Sequence, residues 1–174
     1  MKKRNAMTNE EPRKLQYNLN IFYSFQDKPE FIMAHEAGHM VALHKLFPEN
    51  IYNYGWNAER GVPCVYGREQ KHDYSDVSTI KNISLATLAG VVGLCKYLDM
   101  TKRETQFLLD CLNENNAYID GSDGWKVNEF LRMLREQKGV KLTYFNLVGE
   151  AYDLLDMGAI YAEVNLQMNM KKTA

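Results

Sequence analysis

Two histidines and a glutamate form the part of this chain best suited to metal chemistry. His35, Glu36 and His39 stand in the segment His-Glu-Ala-Gly-His. Residues four apart in an α-helix share one face, about 6 Å apart along the axis, so both imidazoles can reach one metal ion. A glutamate directly after the first histidine would lie beside the metal and could take a proton from a bound water. The pattern predicts a zinc site with His35 and His39 as ligands and Glu36 as general base.

A second interpretation is that the two histidines are ordinary helix residues, one buried and hydrogen-bonded and the other solvated. Composition alone would give this pattern in on the order of 1 in 100 such chains, which favours the metal site. His44 follows His39 by five residues and is rotated about 140° around the helix, so it is predicted to be a surface residue or a neighbour of the ligands. His72 lies in a polar run and is predicted to be a loop residue.

The segment around the motif is predicted to be one helix. Asp27 and Glu30 have the spacing of a capping box, Pro29 suits the first helical turn, and Pro48 ends the helix. Apolar residues supply the buried faces: Phe31, Ile32, Ala34, Val41, Ala42 and Leu46. This helix would hold both histidines in a fixed relation to the glutamate.

The remaining patterns predict a mainly α fold, a compact helical zincin-like domain with one small β-hairpin next to the metal-binding helix. Glycines and aromatic residues over 50–69 are typical of two short strands joined by a turn. Apolar periodicity and caps predict four more helices, over 76–98, 101–116, 125–138 and 143–168. We expect a flexible polar segment over 1–20, a single domain over 21–168 and a tail over 169–174. The second helix carries small residues that would let another helix approach closely: Ala86, Ala89, Gly90 and Gly93.

Composition narrows the partners. The 174 residues include 21 basic and 22 acidic ones, a net charge of −1 that offers no electrostatic case for nucleic acid. The longest apolar run, 83–95, is shorter than the roughly 18 residues of a membrane span, and no signal-peptide pattern follows the basic start. Three widely spaced cysteines suit free thiols in a reducing compartment. We therefore expect a cytoplasmic protein without membrane or nucleic-acid partners.

A catalytic zinc site needs a third protein ligand and an open position. Carboxylates on later segments qualify by chemistry, and spacing does not choose among them: Glu104, Asp110, Glu114, Asp120, Asp123 and Glu129. Asp123, in Gly-Ser-Asp-Gly, could equally be a helix N-cap.

The order of motifs resembles the peptidase domain of the FtsH family of ATP-dependent zinc proteases over roughly residues 28–165. It consists of His-Glu-Ala-Gly-His, a glycine-containing hairpin, a small-residue helix with Leu-Ala-Gly, and Gly-Ser-Asp opening another helix. The resemblance implies that His35, His39 and Asp123 are the zinc ligands and Glu36 the base. The family's segment before its aspartate is one to two residues longer, which leaves Asp120 as a competitor.

The resemblance implies a soluble zinc metalloendopeptidase that hydrolyses peptide bonds. A phosphate loop and a membrane segment, both features of that family, are not found in the sequence. The expected substrates are therefore peptides or flexible protein segments, with a separate ATPase or self-assembly into a homo-oligomer as further partners. The alternative is a non-catalytic metal-containing helical module that binds or regulates another protein. A deformylase shares the histidine pattern, but its Glu-Gly-Cys-Leu segment is not found here.

Overall fold

Six helices and two strands account for most of the residues described in the computed structural model, which are 28–57, 62–67, 73–114 and 122–173. In chain order they are α1 (Pro29–Leu46), β1 (Tyr52–Asn57), β2 (Val62–Gly67), α2 (Val77–Tyr97), α3 (Lys102–Glu114), α4 (Asp123–Lys138), α5 (Tyr144–Leu154) and α6 (Met157–Thr173). The mainly helical architecture with one small antiparallel hairpin confirms the predicted fold class.

The α1 helix carries the histidine motif and begins one residue later than the predicted cap. Its N-cap is Lys28, which makes no side-chain cap bond, so the capping box expected from Asp27 and Glu30 is replaced by Pro29 at the start of the helix. Asp27 itself lies outside the described residues. The helix ends at Leu46, with Phe47 as C-cap and Pro48 next.

The α2 helix forms the centre of the core and packs most extensively against α1. Its N-cap is Asp76, whose carboxylate accepts a 2.7 Å hydrogen bond from the Thr79 backbone N–H. Most of its length is buried: Ile80, Ser84, Leu85, Ala86, Leu88, Ala89, Gly90, Val91, Val92, Gly93, Leu94 and Cys95. By length and composition α2 could cross a membrane, but 61% of its most apolar 18-residue window is buried in the protein. A core helix has the same composition.

Helices α1 and α2 cross at backbone contact. A Cβ atom at Gly38 of α1 would lie 2.0 Å from the carbonyl oxygen of Ala89, and one at Gly93 of α2 would lie 2.7 Å from the Gly38 Cα. Both distances are far below van der Waals contact. The small-residue stretch predicted to admit a close helix therefore does so, and the helix it admits is the one that carries the histidines.

Two predicted helix ends are confirmed by their hydrogen bonds. Glu104 accepts from the backbone N–H of Thr101, and the Thr101 hydroxyl reaches the Glu104 N–H in return, which completes a capping box at the start of α3. Gly139 ends α4 in the left-handed conformation, with φ of 65°.

The single long helix predicted over 143–168 is wrong, because the chain breaks between α5 and α6. Leu155 has an extended conformation and is buried, and Asp156 caps α6 by accepting a 2.8 Å hydrogen bond from Ala159 N–H. Backbone carbonyls at the break accept hydrogen bonds from lysine side chains instead. Lys45 Nζ donates to Leu154 O at 2.7 Å, and Lys96 Nζ donates to Leu155 O at 2.5 Å.

The last helix also extends further than expected. The α6 helix continues to Thr173, so a tail beginning at 169 is not a separate segment. Its buried Gln167 donates a 2.9 Å hydrogen bond to the backbone carbonyl of Met33 in α1. The terminal helix is thereby fixed to the motif helix, two residues before the first histidine.

The hairpin lies beside α1. Strands β1 and β2 pair antiparallel, with Tyr54 opposite Val65 and Gly55 opposite Cys64. The backbone N–H of Val65 donates to the Glu36 side chain of α1 rather than to Tyr54 of β1. This N–H therefore points away from β1, toward the outer edge of β2. This outer edge is therefore the side of the hairpin that meets the motif helix.

Gly38→Ala is expected to reduce the free energy of unfolding by about 1–3 kcal/mol or more, because the new methyl group must push two helix backbones apart. Urea unfolding followed by circular dichroism measures the change. Gly158→Ala is the control, since its Cβ would approach only the Asp156 side chain, at 3.1 Å; it should stay within about 1 kcal/mol of the parent. Equal stability of the parent and Gly38→Ala would contradict the described crossing.

Candidate metal centre

The two motif histidines face each other across one helical turn of α1. Their Nε2 atoms lie 3.0 Å apart, with ring centroids 4.7 Å apart and the ring planes at 83°. Both side chains are mostly buried. The predicted convergence of the imidazoles is therefore present in the structure.

Asp123 of α4 completes a set of three ligand atoms. Its Oδ2 atom lies 3.1 Å from the Nε2 atoms of both His35 and His39. The N-cap of α4 is Ser122, whose hydroxyl accepts from Trp125 N–H, so the cap role considered for Asp123 belongs to its neighbour. Asp123 occupies the first helical position instead, where the helix dipole favours a negative charge.

The other carboxylates considered as third ligand do not join this set. Among the described residues, His35, His39 and Asp123 form the one group of three or more metal-ligating atoms that all lie within 4.8 Å of one another. Glu104, Asp110 and Glu129 are not part of it. Asp120 and the side chain of Glu114 lie outside the described part of the chain.

A backbone carbonyl fixes the tautomer of His39. The Nδ1–H of His39 donates a 2.8 Å hydrogen bond to the carbonyl oxygen of Ala86 in α2. In the neutral ring this places the proton on Nδ1 and leaves the Nε2 lone pair directed toward His35 and Asp123. Carbonyl partners of this kind are the usual means of orienting a metal-binding imidazole.

The three atoms have the spacing of ligands around one small cation. Separations of 3.0 to 3.1 Å are slightly below the roughly 3.3 Å expected between ligands of a tetrahedral zinc ion with bonds of about 2.0–2.1 Å. Two imidazole nitrogens and one carboxylate are donors that zinc accepts. The residues present therefore fit a zinc ion after a shift of a few tenths of an ångström.

Gly90 of α2 leaves the space next to these atoms clear. A Cβ atom at this position would lie 2.4 Å from His39 Nε2 and 2.7 Å from His35 Nε2. Those distances approach the length of a metal–ligand bond, so even a methyl group would occupy the place that an ion would take. The absence of a side chain at Gly90 is thus a condition for any metal to bind.

In the absence of a metal ion, the ionisable groups of the cluster shift one another's pKa values. Burial alone would raise the pKa of Asp123, but the hydrogen bonds and charges of His35 and His39 lower it well below its usual range. Burial alone would lower the pKa of His39, but Asp123, Glu36 and the Ala86 carbonyl together raise it. In the metal-free cluster a proton on His39 is therefore favoured beside the Asp123 carboxylate.

Glu36 lines the same cleft as the three candidate ligands and is not one of them. Its Oε2 atom accepts a 2.8 Å hydrogen bond from the backbone N–H of Val65 on the outer edge of β2. Both residues line one cleft with His35, His39 and Asp123. The predicted base is thus oriented by the hairpin within the same cleft as the ligands.

The cleft has a cavity volume of about 360 Å³. Beyond the five residues just described, it is lined by Leu43, Phe47, Cys64, Ile83, Ala86, Thr87 and Lys126. Lys126 places its Nζ 3.3 Å from Asp123 Oδ1, which leaves Oδ2 toward the histidines. The Lys126 ammonium group therefore helps to hold the Asp123 carboxylate in this orientation.

The other two histidines stay apart from this centre, as expected where the structure describes them. His44 is exposed and its ring centroid lies 6.0 Å from that of Tyr52. His72 lies outside the described residues. Four site features were not predicted: Gly90, the Ala86 carbonyl, Lys126 and the Val65 N–H. The Leu-Ala-Gly stretch was a signal for Gly90, but it indicated only close helix packing.

Comparison of this chain with protein-family models, curated proteins and solved structures finds no match.

Gly90→Ala is expected to weaken zinc binding by about 100-fold or more while the protein stays folded, because the new methyl group displaces only the ends of the histidine side chains. A competition titration with a chromophoric chelator measures the affinity. The matched control is Gly149→Ala, whose Cβ would likewise displace a side-chain end, that of Gln106 at 2.5 Å, far from the cleft. Unchanged zinc affinity in Gly90→Ala would show that the metal does not bind between the two histidines.

The pKa shifts predict how the stability of chelator-treated protein depends on pH. His39 has a raised pKa in the folded state, so its contribution is complete below its unfolded pKa and is lost as pH rises through the folded value. Asp123 has a lowered pKa, so its contribution is present above its unfolded pKa and is lost on acidification. Urea unfolding should show a maximum of stability in weak acid and a decline as the pH rises through the folded pKa of His39. The decline should vanish in His39→Gln.

Proposed function

We propose that this protein is a zinc metalloendopeptidase, with His35, His39 and Asp123 as the metal ligands and Glu36 as the general base. The observation that carries the proposal is the convergence of the three ligand atoms beside a carboxylate that does not join them, all in one open cleft. Membership of the FtsH-like peptidases is part of the same proposal, supported by the position of Asp123 at the start of a later helix.

The number of ligands favours catalysis over a structural role. A structural zinc ion is normally held by four protein ligands, whereas a catalytic one keeps three and an open position. Within the described ranges the cluster holds three. A non-catalytic module, the alternative function, would need a fourth ligand or no metal at all.

Each side chain then has a separate task. A zinc ion in this cluster would supply a water of pKa about 7 and polarise a substrate carbonyl. Glu36 lines the same cleft and would accept a proton from that water at its carboxylate and return it to the leaving amine nitrogen. Val65 N–H holds one carboxylate oxygen of Glu36, Oε2, and so orients the other oxygen for proton transfer.

The outer edge of β2 supports binding of an extended peptide. Unpaired backbone groups on a strand edge can bind a peptide as an added strand. The Val65 N–H on this edge is already bonded to Glu36, so an added peptide would bind through other backbone groups of β2 and would pass close to the ligand cluster. Flexible protein segments and short peptides are the proposed substrates, since they can adopt an extended conformation in the cleft without first unfolding.

Glu36→Gln tests the mechanism directly. Zinc affinity should stay near that of the parent, because Glu36 is not a ligand, while hydrolysis of unfolded casein should fall by about 10²- to 10⁴-fold through loss of the base. Asp123→Ala should instead lose the metal and the activity together. Glu150→Gln, an exposed glutamate paired with Lys81 on the surface, is the control and should cleave like the parent.

Release of peptides from casein, measured with and without chelator, provides the readout. Full activity in Glu36→Gln, or activity that survives complete removal of the metal, would reject this function.

A further inference from the structure

One end of the cleft is an apolar groove formed by two antiparallel helices. On α1, Leu43 follows His39 by four residues and continues the face that holds the ligands, and the C-cap Phe47 lines the cleft just beyond the end of the helix. On α2, Ala86 and Ile83 precede Gly90 by four and seven residues and continue its face in the same direction. The groove therefore runs away from the metal ligands for about two helical turns.

The register between the helices is fixed by contacts already described. Gly90 lies against the Nε2 atoms of both histidines, and the Ala86 carbonyl receives the Nδ1–H of His39. One turn further along both helices, Ile83 and Leu43 line the cleft on opposite sides. From His39 to the end of α1 at Leu46 the helix rises about 10 Å, a length that about three residues of an extended peptide would span.

This end of the cleft carries no formal charge among the residues that line it. The charged side chains of the lining, Glu36, Asp123 and Lys126, all belong to the ligand cluster or its immediate neighbours. Thr87 is the polar exception on α2, and its hydroxyl donates a 2.8 Å hydrogen bond to the carbonyl of Ile83. The Thr87 hydroxyl is therefore satisfied within the helix, and the Thr87 methyl group is the part that an apolar ligand group could contact.

The groove side chains are only partly covered by the protein. Leu43, Phe47, Ile83 and Thr87 are half-buried, whereas Ala86 beneath them is buried. They therefore retain apolar surface that a further group could cover, at about 25 cal/mol for each Å² removed from water.

We propose that this groove, formed by Leu43, Phe47, Ile83, Ala86 and Thr87, selects substrates with an apolar side chain on one side of the cleaved peptide bond. The inference rests on the proposed peptidase function, because the groove begins at the ligand cluster where that bond would lie. A charged side chain in the same place would lose its hydration without gaining a partner. The preferred substrates are therefore unfolded segments with an aliphatic or aromatic residue next to the cleaved bond.

Cleavage of a peptide library by the zinc-loaded protein, read by mass spectrometry, tests this specificity. At one of the two positions flanking the cleaved bond, Leu, Ile, Val, Met or Phe should exceed Asp by roughly ten-fold or more in kcat/KM. Ile83→Lys should reverse the order at that same position and favour Asp or Glu. Asn82→Lys, which adds the same charge to the neighbouring half-buried position of α2 outside the cleft, is the matched control and should keep the apolar preference.

Two results would overturn the groove as a specificity site. One is cleavage by the parent protein with no preference at either flanking position. The other is the same specificity in Ile83→Lys and Asn82→Lys.

A binding measurement separates this inference from the proposed function. Zinc-loaded Glu36→Gln should bind a leucine-containing peptide at least about ten-fold more tightly than its aspartate counterpart, and Ile83→Lys in the same background should remove the difference. Selective binding without turnover in the parent would reject hydrolysis and retain the groove. Equal affinity for both peptides would reject the groove, whatever the parent cleaves.

Discussion

The backbone contact between α1 and α2 is the constraint on which the rest of the structure depends. Gly38 and Gly93 have no side chains, so the two helices approach until the Gly38 Cα meets the carbonyl of Ala89. Only at this separation can the Ala86 carbonyl reach His39 Nδ1, and only then does Gly90 lie against both histidine rings. Helix packing thus sets the tautomer, the ring orientation and the size of the ligand cluster together.

Asp123, the third residue of the cluster, is supported differently. Asp123 is held by the start of α4, where Ser122 satisfies the helix terminus and Lys126 pairs with the outer carboxylate oxygen. A residue in the first turn has little freedom to move relative to its helix, and α4 packs against α2. The same core helix therefore positions both histidines and the aspartate, while the hairpin orients Glu36 separately through a single backbone N–H.

The sequence allowed prediction of the local features and not of the register between elements. The His35, Glu36 and His39 arrangement follows from helical periodicity alone, which is why the structure reproduces it. Asp123 was reached only through a family resemblance, since spacing along the chain says nothing about which later helix faces α1. Gly90 lies 51 residues after His39 in the chain. The periodicity within α2 does not indicate which helix packs against the small residues around Gly90.

The break between α5 and α6 escaped prediction for a similar reason. No proline interrupts residues 144–173, so local propensity favours one continuous helix. The break is stabilised by distant lysines: Lys45 and Lys96 bond the freed carbonyls of Leu154 and Leu155. Each such bond contributes on the order of 1 kcal/mol and satisfies a carbonyl that would otherwise lose its helical partner.

The hydrogen bond between α6 and α1 also affects the order in which parts of the protein can fold. Gln167 bonds the Met33 carbonyl across 134 residues of chain. Contacts this distant in sequence form late, because closing the intervening loop costs conformational entropy. During synthesis, the His-Glu-Ala-Gly-His segment would leave the ribosome long before Gln167, which bonds α1, has been made. The helix that carries His35 and His39 therefore gains this contact only after synthesis has passed residue 167.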